Sequence, residues 1–61
     1  MTKLPYLVEC QSTYPFFETI AGFDIEAAAT RYASECAETN PNFHYRVRKG
    51  SKTIVVHQAV A

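Results

Sequence analysis

The residues whose side chains offer the clearest chemistry lie near the end of the sequence, where cations and histidines alternate with apolar residues. Residues 43–61 hold no Asp or Glu, and their cations and histidines are His44, Arg46, Arg48, Lys49, Lys52 and His57. Residues 1–42 hold two cations against six carboxylates, a balance of −4, whereas residues 43–61 carry +4. Because concentrated charge attracts a surface of the opposite sign, this split predicts a charged macromolecular partner rather than a small neutral ligand.

The remaining polar and sulfur-containing residues fit no catalytic or metal-binding motif. Cys10 and Cys36 stand 26 positions apart, whereas zinc sites and thioredoxin-like redox sites use closer pairs. A disulfide between them is conceivable, but free thiols are the usual state in a cytosolic protein. No nucleophile elbow or Gly-rich phosphate loop is present, and the scattered carboxylates are expected to be exposed to solvent. We therefore predict a protein that is not an enzyme and has no cofactor or metal site.

The element that organises the fold around the cations and histidines is a helix predicted over residues 24–39. Its apolar residues recur at helical spacing and are Ile25, Ala28, Ala29, Tyr32, Ala33, Cys36 and Ala37. Asp24 is a suitable N-cap, and Asn40-Pro41 should end the helix because proline cannot continue its hydrogen-bond ladder. Since the apolar stripe is mostly alanine, the helix is expected to lie close against a flat sheet.

Strands are predicted on both sides of this helix, over residues 4–11, 16–21, 43–48 and 53–58. Turns are expected at residues 12–15 and at Gly50-Ser51, which suits a two-residue hairpin loop with positive φ at the glycine. The result is an α+β fold, ββαββ, in one domain of residues 1–61. A right-handed crossover favours an antiparallel four-stranded sheet of order 2-1-3-4 with the helix on one face. We call the other face of this sheet the open face.

Alternation assigns the side chains of the third and fourth strands to these faces. The residues expected on the helix side are Phe43, Tyr45, Val47, Ile54 and Val56. The Gly50-Ser51 loop sets the predicted pairs. They are Val47–Ile54 and Tyr45–Val56 on the helix side, and Arg48–Thr53, Arg46–Val55 and His44–His57 on the open face. The two imidazoles of the last pair would then stand side by side. They are too few for a metal site, and protonating both would add charge to a basic surface.

Alternation assigns the faces of the first strand but leaves those of the second strand open. In the first strand, Tyr6, Val8 and Cys10 are expected inward and Leu7 outward. The second strand allows two readings. Its inward residues are either Phe16, Glu18 and Ile20 or Phe17, Thr19 and Ala21. We favour the latter, because it continues to Phe23, which would pack over the start of the helix.

The open face and the hairpin tip form the predicted binding surface. Its residues are His44, Arg46, Arg48, Lys49, Lys52, Val55, His57, Leu7 and Tyr14. An exposed apolar and aromatic patch of this kind marks a protein interface. For nucleic acid, Phe43 and Tyr45 alternate with the arginines and so point away from them, which leaves only contacts to phosphates. Sheet edges would also accept a further strand.

A small protein-binding module is therefore the first functional hypothesis. Its expected partner is a host or phage protein, and an acidic surface on that partner would match the basic residues. A nucleic-acid-associated accessory protein that binds phosphates through the basic hairpin is the second, and a self-associating structural protein, such as a homodimer, is the third. No apolar run reaches the roughly 20 residues of a membrane span, and the first residues lack the pattern of a signal peptide. The cytosol is the expected location.

The order of strand, turn, strand, Ala-rich helix and closing strand resembles that of small phage-encoded inhibitors. The segments that carry the resemblance are Asp24-Ile25-Glu26-Ala27-Ala28-Ala29 and Tyr32-Ala33, within residues 6–48. Members of this group include the phage inhibitor of host RNA polymerase and anti-CRISPR proteins, which block a host machine by binding it. The resemblance implies a compact inhibitor or adaptor in the host cytosol. The additional basic last strand departs from the polymerase inhibitor, so neither its target nor its contact residues carry over.

Overall fold

A computed structural model describes residues 4–59 as four strands and one helix. The elements are β1 Tyr6–Thr13, β2 Phe16–Phe23, α1 Glu26–Thr39, β3 His44–Lys49 and β4 Lys52–His57. The strands pair antiparallel in the order β2-β1-β3-β4, and the core forms where α1 packs on one face of this sheet. The predicted α+β fold and strand order are therefore confirmed. No element among the described residues packs on the open face.

The ends of α1 agree with the prediction at one end only. β2 continues to Phe23, so Asp24 lies in the connection, and the N-cap is Ile25, without a side-chain hydrogen bond to the first turn. The predicted capping role of Asp24 is therefore wrong. The helix ends at Thr39, where the Asn40 N–H donates to the Cys36 carbonyl at 2.9 Å. Over residues 4–59, no helix combines the length and the apolar character needed to cross a membrane.

Three alanines at i, i+4 and i+8 make the closest contact between α1 and the sheet. Ala29, Ala33 and Ala37 are buried in the core, and we call them the alanine row. Ile25 and Tyr32, which were predicted in the buried stripe, lie at its margins and are 59% and 36% exposed. Because alanine is small, this row lets the helix backbone lie close to the side chains of the strands.

The sheet residues beneath the alanine row come from the two central strands. Val8 of β1 and Val47 of β3 are fully buried, and Tyr45 of β3 is nearly so. Val8 pairs directly with Val47, so the two branched side chains lie side by side under the helix. The predicted inward positions of β1 and β3 are confirmed, because β1 and β3 alternate regularly along their shared ladder.

A β-bulge in β2 decides which of its residues face the helix. Val8 of β1 pairs with Ala21, but the next residue, Glu9, pairs with Thr19. Ile20 is therefore an extra residue in β2, and the alternation of side chains changes phase at that point. Alternate residues that face the helix after Ile20, such as Ala21 and Phe23, therefore continue before it as residues of the open face, such as Phe17 and Thr19.

The favoured assignment for β2 is therefore correct only after the bulge. Ala21 and Phe23 pack against the core on the helix side. Thr19 pairs with Glu9 on the open face, and Phe17 lies there too. The prediction that Phe17 and Thr19 point inward is wrong, because it assumed uninterrupted alternation along the strand.

The hairpin between β3 and β4 has the predicted loop and register near its tip. Gly50 has a φ of 58°, in the left-handed region that the two-residue loop requires. The pairs closest to the loop are Lys49–Lys52, Arg48–Thr53, Val47–Ile54 and Arg46–Val55. This part of the hairpin follows directly from its turn residues.

A second bulge changes the pairing beyond Val55. Tyr45 pairs with His57 rather than with Val56, so Val56 is the extra residue. The predicted pairing of Tyr45 with Val56 is wrong, and so is the pairing of His44 with His57. The bulge places His57 beside Tyr45, with their ring centroids 6.5 Å apart.

The loop conformation predicts the effect of adding a side chain at Gly50. We expect Gly50→Ala to lower the free energy of unfolding by about 1–2 kcal/mol, because a β-carbon is disfavoured at positive φ. An added β-carbon meets no other atom within 4 Å, so the cost is confined to the backbone. Gly50→Asn should cost less, since asparagine tolerates this conformation. Urea unfolding of both variants measures the difference, and equal stabilities for the two would contradict the explanation.

Candidate functional site

A buried carboxylate organises the open face. Glu9 of β1 is 3% exposed, although its side chain lies on the face that α1 does not cover. Arg46 Nε donates to Glu9 Oε1 at 2.6 Å, and Arg48 Nη2 lies 3.3 Å from Glu9 Oε2. One carboxylate thus holds two arginines of the adjacent strand in charge-assisted contacts.

The strand register explains this arrangement. Glu9 stands directly opposite Arg46 in the ladder between β1 and β3, and Leu7 stands opposite Arg48. Residues paired in this way have adjacent side chains on the same face, and the diagonal neighbour is within reach of a long side chain. The carboxylate is therefore next to Arg46 and diagonal to Arg48, and each of its oxygens meets one guanidinium.

Phe17 extends this cluster toward β2. The guanidinium carbon of Arg46 lies 3.7 Å from the centroid of the Phe17 ring, a cation placed over an aromatic face. The ring reaches this position because the bulge at Ile20 reverses the alternation of β2, which puts Phe17 and Thr19 on the open face. Phe17, Arg46, Glu9 and Arg48 therefore form one row across three strands, which we call the arginine network.

The arginine network corrects two expectations from the sequence. Glu9 is a buried partner of two cations, not a solvent-exposed charge, and the sequence analysis missed this role. The signal was present, because the predicted order and alternation already put Glu9, Arg46 and Arg48 on one face of adjacent strands. The network also carries one net positive charge instead of two, so the basic character of the open face is weaker than the count of arginines indicates.

The two lysines of the hairpin tip carry positive charges that are less neutralised by nearby carboxylates than those of the two arginines. Lys49 Nζ lies 5.1 Å from the centroid of the Tyr6 ring. Neither Lys49 nor Lys52 forms an ion pair within the part of the chain that the structure describes. Both are exposed, so the tip presents two cations to solvent at the end of the β3–β4 hairpin.

The two histidines bind backbone groups instead of facing each other. The Ala59 N–H donates to His44 Nδ1 at 3.1 Å, so Nδ1 carries no proton and the neutral ring is protonated on Nε2. His57 Nε2 lies 3.0 Å from the Pro41 carbonyl oxygen. Because a carbonyl only accepts, this Nε2 is protonated. His44 thus fastens the segment after β4, and His57 fastens β4 to the connection after α1.

The apolar residues of the predicted surface do not form one patch. Val55 of β4 is 61% exposed beside Arg46, and Leu7 of β1 is half-buried beside Arg48. Tyr14 is 85% exposed in the turn after β1. This turn lies at the opposite end of the sheet from the hairpin tip, so the structure separates Tyr14 from the basic residues.

Two shallow hollows accompany the arginine network on the open face. One of about 160 Å³ is lined by Gln11, Phe17, His44, Arg46, Val55 and Gln58, among others. The other, of about 370 Å³, is lined by Leu4, Pro5, Leu7, Arg48 and Gly50. Each combines an arginine with apolar side chains, which suits contact with a partner's acidic and apolar side chains better than enclosure of a small molecule.

The cysteines lie on the helix side and are free thiols. Burial raises the pKa of the Cys10 thiol, against the effect of its hydrogen bond with Tyr45. Burial and the hydrogen bond with Cys10 also raise the pKa of the Tyr45 hydroxyl. A raised pKa keeps the Cys10 thiol protonated at neutral pH, where it is a poor nucleophile.

No protein-family model matches this chain, and neither a curated protein nor a solved structure shows significant similarity to it.

Proposed function

We propose that this chain is a small, non-catalytic protein-binding module that occupies the surface of a partner protein with its open face and the β3–β4 hairpin. The observation that carries the proposal is the arginine network, in which Glu9 holds Arg46 and Arg48 in place on a sheet face that no described element covers. The resemblance over residues 6–48 supports a more specific role as an inhibitor or adaptor from a phage or other mobile element.

The order of the arginine network favours binding. A free arginine side chain loses about 2 kcal/mol of rotamer entropy when it is fixed, and this cost normally reduces the affinity of an interface. Arg46 is already held by Glu9 and by the ring of Phe17, so much of its freedom is lost before a partner arrives. Arginine and aromatic residues are also the side chains enriched at protein interfaces.

The distribution of charge favours a partner with an acidic surface. The outer face of α1 carries three glutamates, Glu26, Glu35 and Glu38, and its only cation, Arg31, pairs with Glu35 at 3.5 Å. The two lysines, which form no ion pair among the described residues, lie in the sheet layer, at the tip of the β3–β4 hairpin. A partner attracted to the hairpin is therefore repelled by the helix layer, which orients the complex.

One observation favours nucleic acid as a second candidate. Phe17 lies on the same face as Arg46 and Arg48, which supplies the aromatic ring that the sequence analysis did not find there. However, the Arg46 guanidinium already covers that ring at 3.7 Å, and Glu9 offsets one of the two arginine charges. We therefore rank phosphate binding second, and self-association third.

Capture from bacterial lysate with matched surface variants tests the proposed function. The first variant, Lys52→Glu/Val55→Glu, changes one cation and one exposed apolar residue on β4. Its control, Arg31→Glu/Ala27→Glu, makes the same two changes on the exposed face of α1. We expect a partner protein that is retained by the wild type and the helix variant and reduced about tenfold or more for the hairpin variant, because the hairpin supplies the contact.

Capture is carried out from lysate with and without nuclease treatment, and each variant is checked by circular dichroism. Equal retention by the two variants, or loss with the helix variant alone, would overturn the proposal. Retention that disappears with nuclease and falls steeply with added salt supports the nucleic-acid candidate instead. A dimer that forms with increasing concentration, measured by sedimentation, supports self-association.

A further inference from the structure

The two edges of the sheet differ in regularity. β2 forms one edge, and its pairing with β1 is interrupted between Val8 and Glu9 and again between Cys10 and Thr13. It also presents the exposed carboxylate of Glu18. Bulges and charges of this kind are the features by which natural proteins protect sheet edges from further pairing.

β4 forms the other edge and is regular over most of its length. Its pairing with β3 is uninterrupted from Lys52 to Val55. The segment from Thr53 to Val56 consists of four β-branched residues, the type most suited to a strand. β4 is therefore the better template for an additional strand.

The hairpin register shows which backbone groups of β4 are free. In an antiparallel ladder, hydrogen-bonded pairs alternate with non-hydrogen-bonded pairs. The pair that closes the two-residue loop, Lys49–Lys52, is hydrogen-bonded, so Ile54 also bonds to β3. The N–H and C=O groups of Thr53 and Val55 accordingly point away from β3, toward the free edge.

We propose that β4 binds an extended acidic segment of a partner protein as a fifth strand, through the outward backbone groups of Thr53 and Val55. This inference rests on the proposed function and specifies how the partner is bound. The part of the partner that is bound is a short extended stretch in which acidic and apolar residues alternate, not a folded surface.

Charge decides which chain fits this edge. Lys49 and Lys52 lie at one end of β4, and Arg48 on the open face is 45% exposed at its side chain, next to Thr53. A second copy of β4 would bring no carboxylate to these cations, because residues 43–61 hold no Asp or Glu. An acidic side chain of the added strand meets Arg48 on the open face, whereas Lys49 and Lys52 lie on the helix side, in line with Val47 and Ile54.

The surroundings of β4 also accommodate alternating side chains. On the open face, an added strand would place its acidic side chains beyond Thr53 and Val55, on the side from which Arg48 extends. On the helix side, a hollow of about 240 Å³ between α1 and β4 is lined by two apolar residues, Ala37 and Val56, and by Ser34, Glu38 and His57 at its polar margin. An apolar side chain of the added strand fits there, which explains the alternation required of the ligand.

The first experiment titrates the isotope-labelled chain with a short acetylated peptide in which Glu and Val alternate. We expect the largest amide shift changes at residues 52–57 and about tenfold slower hydrogen exchange at the amides of Thr53 and Val55. A peptide of the same length with alternating Lys and Val should produce neither effect. Shift changes confined to β2 or α1, or equal effects of both peptides, would overturn the proposal.

The second experiment removes one outward donor. Val55→Pro deletes this N–H, and proline is tolerated on an edge strand where the N–H faces solvent. Val55→Thr is the matched control that keeps the N–H. We expect about a tenfold loss of affinity for the Glu–Val peptide with proline and little loss with threonine. If the proline variant does not fold, a backbone ester at Val55, introduced by chemical ligation at Cys36, removes the same N–H without the ring.

Failure of this inference is distinguishable from failure of the proposed function. If the Val55 ester binds the peptide as well as the unmodified chain does, strand addition is overturned. If capture of the lysate partner still depends on the side chains of Lys52 and Val55, the proposed function stands even though strand addition is overturned. Concentration-dependent broadening at Thr53 and Val55 in the absence of peptide would indicate pairing between copies and would also overturn the proposal.

Discussion

The Arg46→Ala variant is expected to lose about 2–4 kcal/mol of unfolding free energy, because it leaves a buried carboxylate without its closest partner. Glu9 keeps only the 3.3 Å contact with Arg48, and Phe17 loses the guanidinium that covers its ring. A domain of 61 residues has a total stability of about 3–9 kcal/mol. The single substitution therefore removes a large part of it, and urea unfolding followed by circular dichroism measures the change.

An exposed ion pair supplies the control for this prediction. Arg31 and Glu35 lie 3.5 Å apart on α1, with side chains that are 83% and 62% exposed. Arg31→Ala should therefore cost less than about 0.5 kcal/mol. Equal costs for Arg31→Ala and Arg46→Ala would mean that the buried carboxylate does not depend on its network. The expected cost is also the reason to test binding with Lys52 and Val55, since substitution of an arginine confuses lost contacts with unfolding.

The Ala33→Leu variant is expected to be destabilised by about 3 kcal/mol, near the upper end of the usual cost of overpacking a core. Ala33 is fully buried at the centre of the alanine row, and the added carbons must displace either α1 or the valines beneath it. Thermal unfolding of the variant measures the loss.

The same substitution on the exposed side of the helix separates packing from helix propensity. Ala27 lies on α1 but is exposed, and leucine is nearly as good a helix former as alanine. Ala27→Leu should change the stability by less than about 0.5 kcal/mol. If both variants were equally stable, the helix would not lie as close to the sheet as the alanine row indicates.

The order of the elements followed from local signals in the sequence. The helical spacing of the alanines, the stop at Pro41 and the loop at Gly50 each depend on a few neighbouring residues. The loop also fixed the pairing as far as Arg46 with Val55, because the register of a hairpin is determined by its turn. For the same reason, the placement of Arg46 and Arg48 on the open face was predictable.

The bulges at Ile20 and Val56 were not predictable from alternation. Ile20 and Val56 are ordinary strand residues, and nothing in their types marks them as extra. A bulge depends on which side chains pack best across a whole ladder, so it follows from contacts between distant segments. Each one altered the site, since the first brought Phe17 to the open face and the second separated His57 from His44.

The capping error at Asp24 has a similar origin. The residue type suits an N-cap, but β2 continues to Phe23 and leaves Asp24 in the connection. Local preference for a cap was therefore overridden by the length of the preceding strand. The burial of Glu9 likewise required three strands to be placed together before its environment was defined.

In the two central strands, successive side chains point to opposite faces of the sheet, and this links the two sides of the molecule. Val8 lies under the helix while the adjacent Glu9 holds the arginines, and in β3 Val47 lies between Arg46 and Arg48 in the same way. A macromolecule that binds the guanidinium groups is therefore expected also to restrain the two valines against which the helix packs. We therefore expect occupation of the open face to make the helix side more rigid as well, although the two surfaces share no side chain.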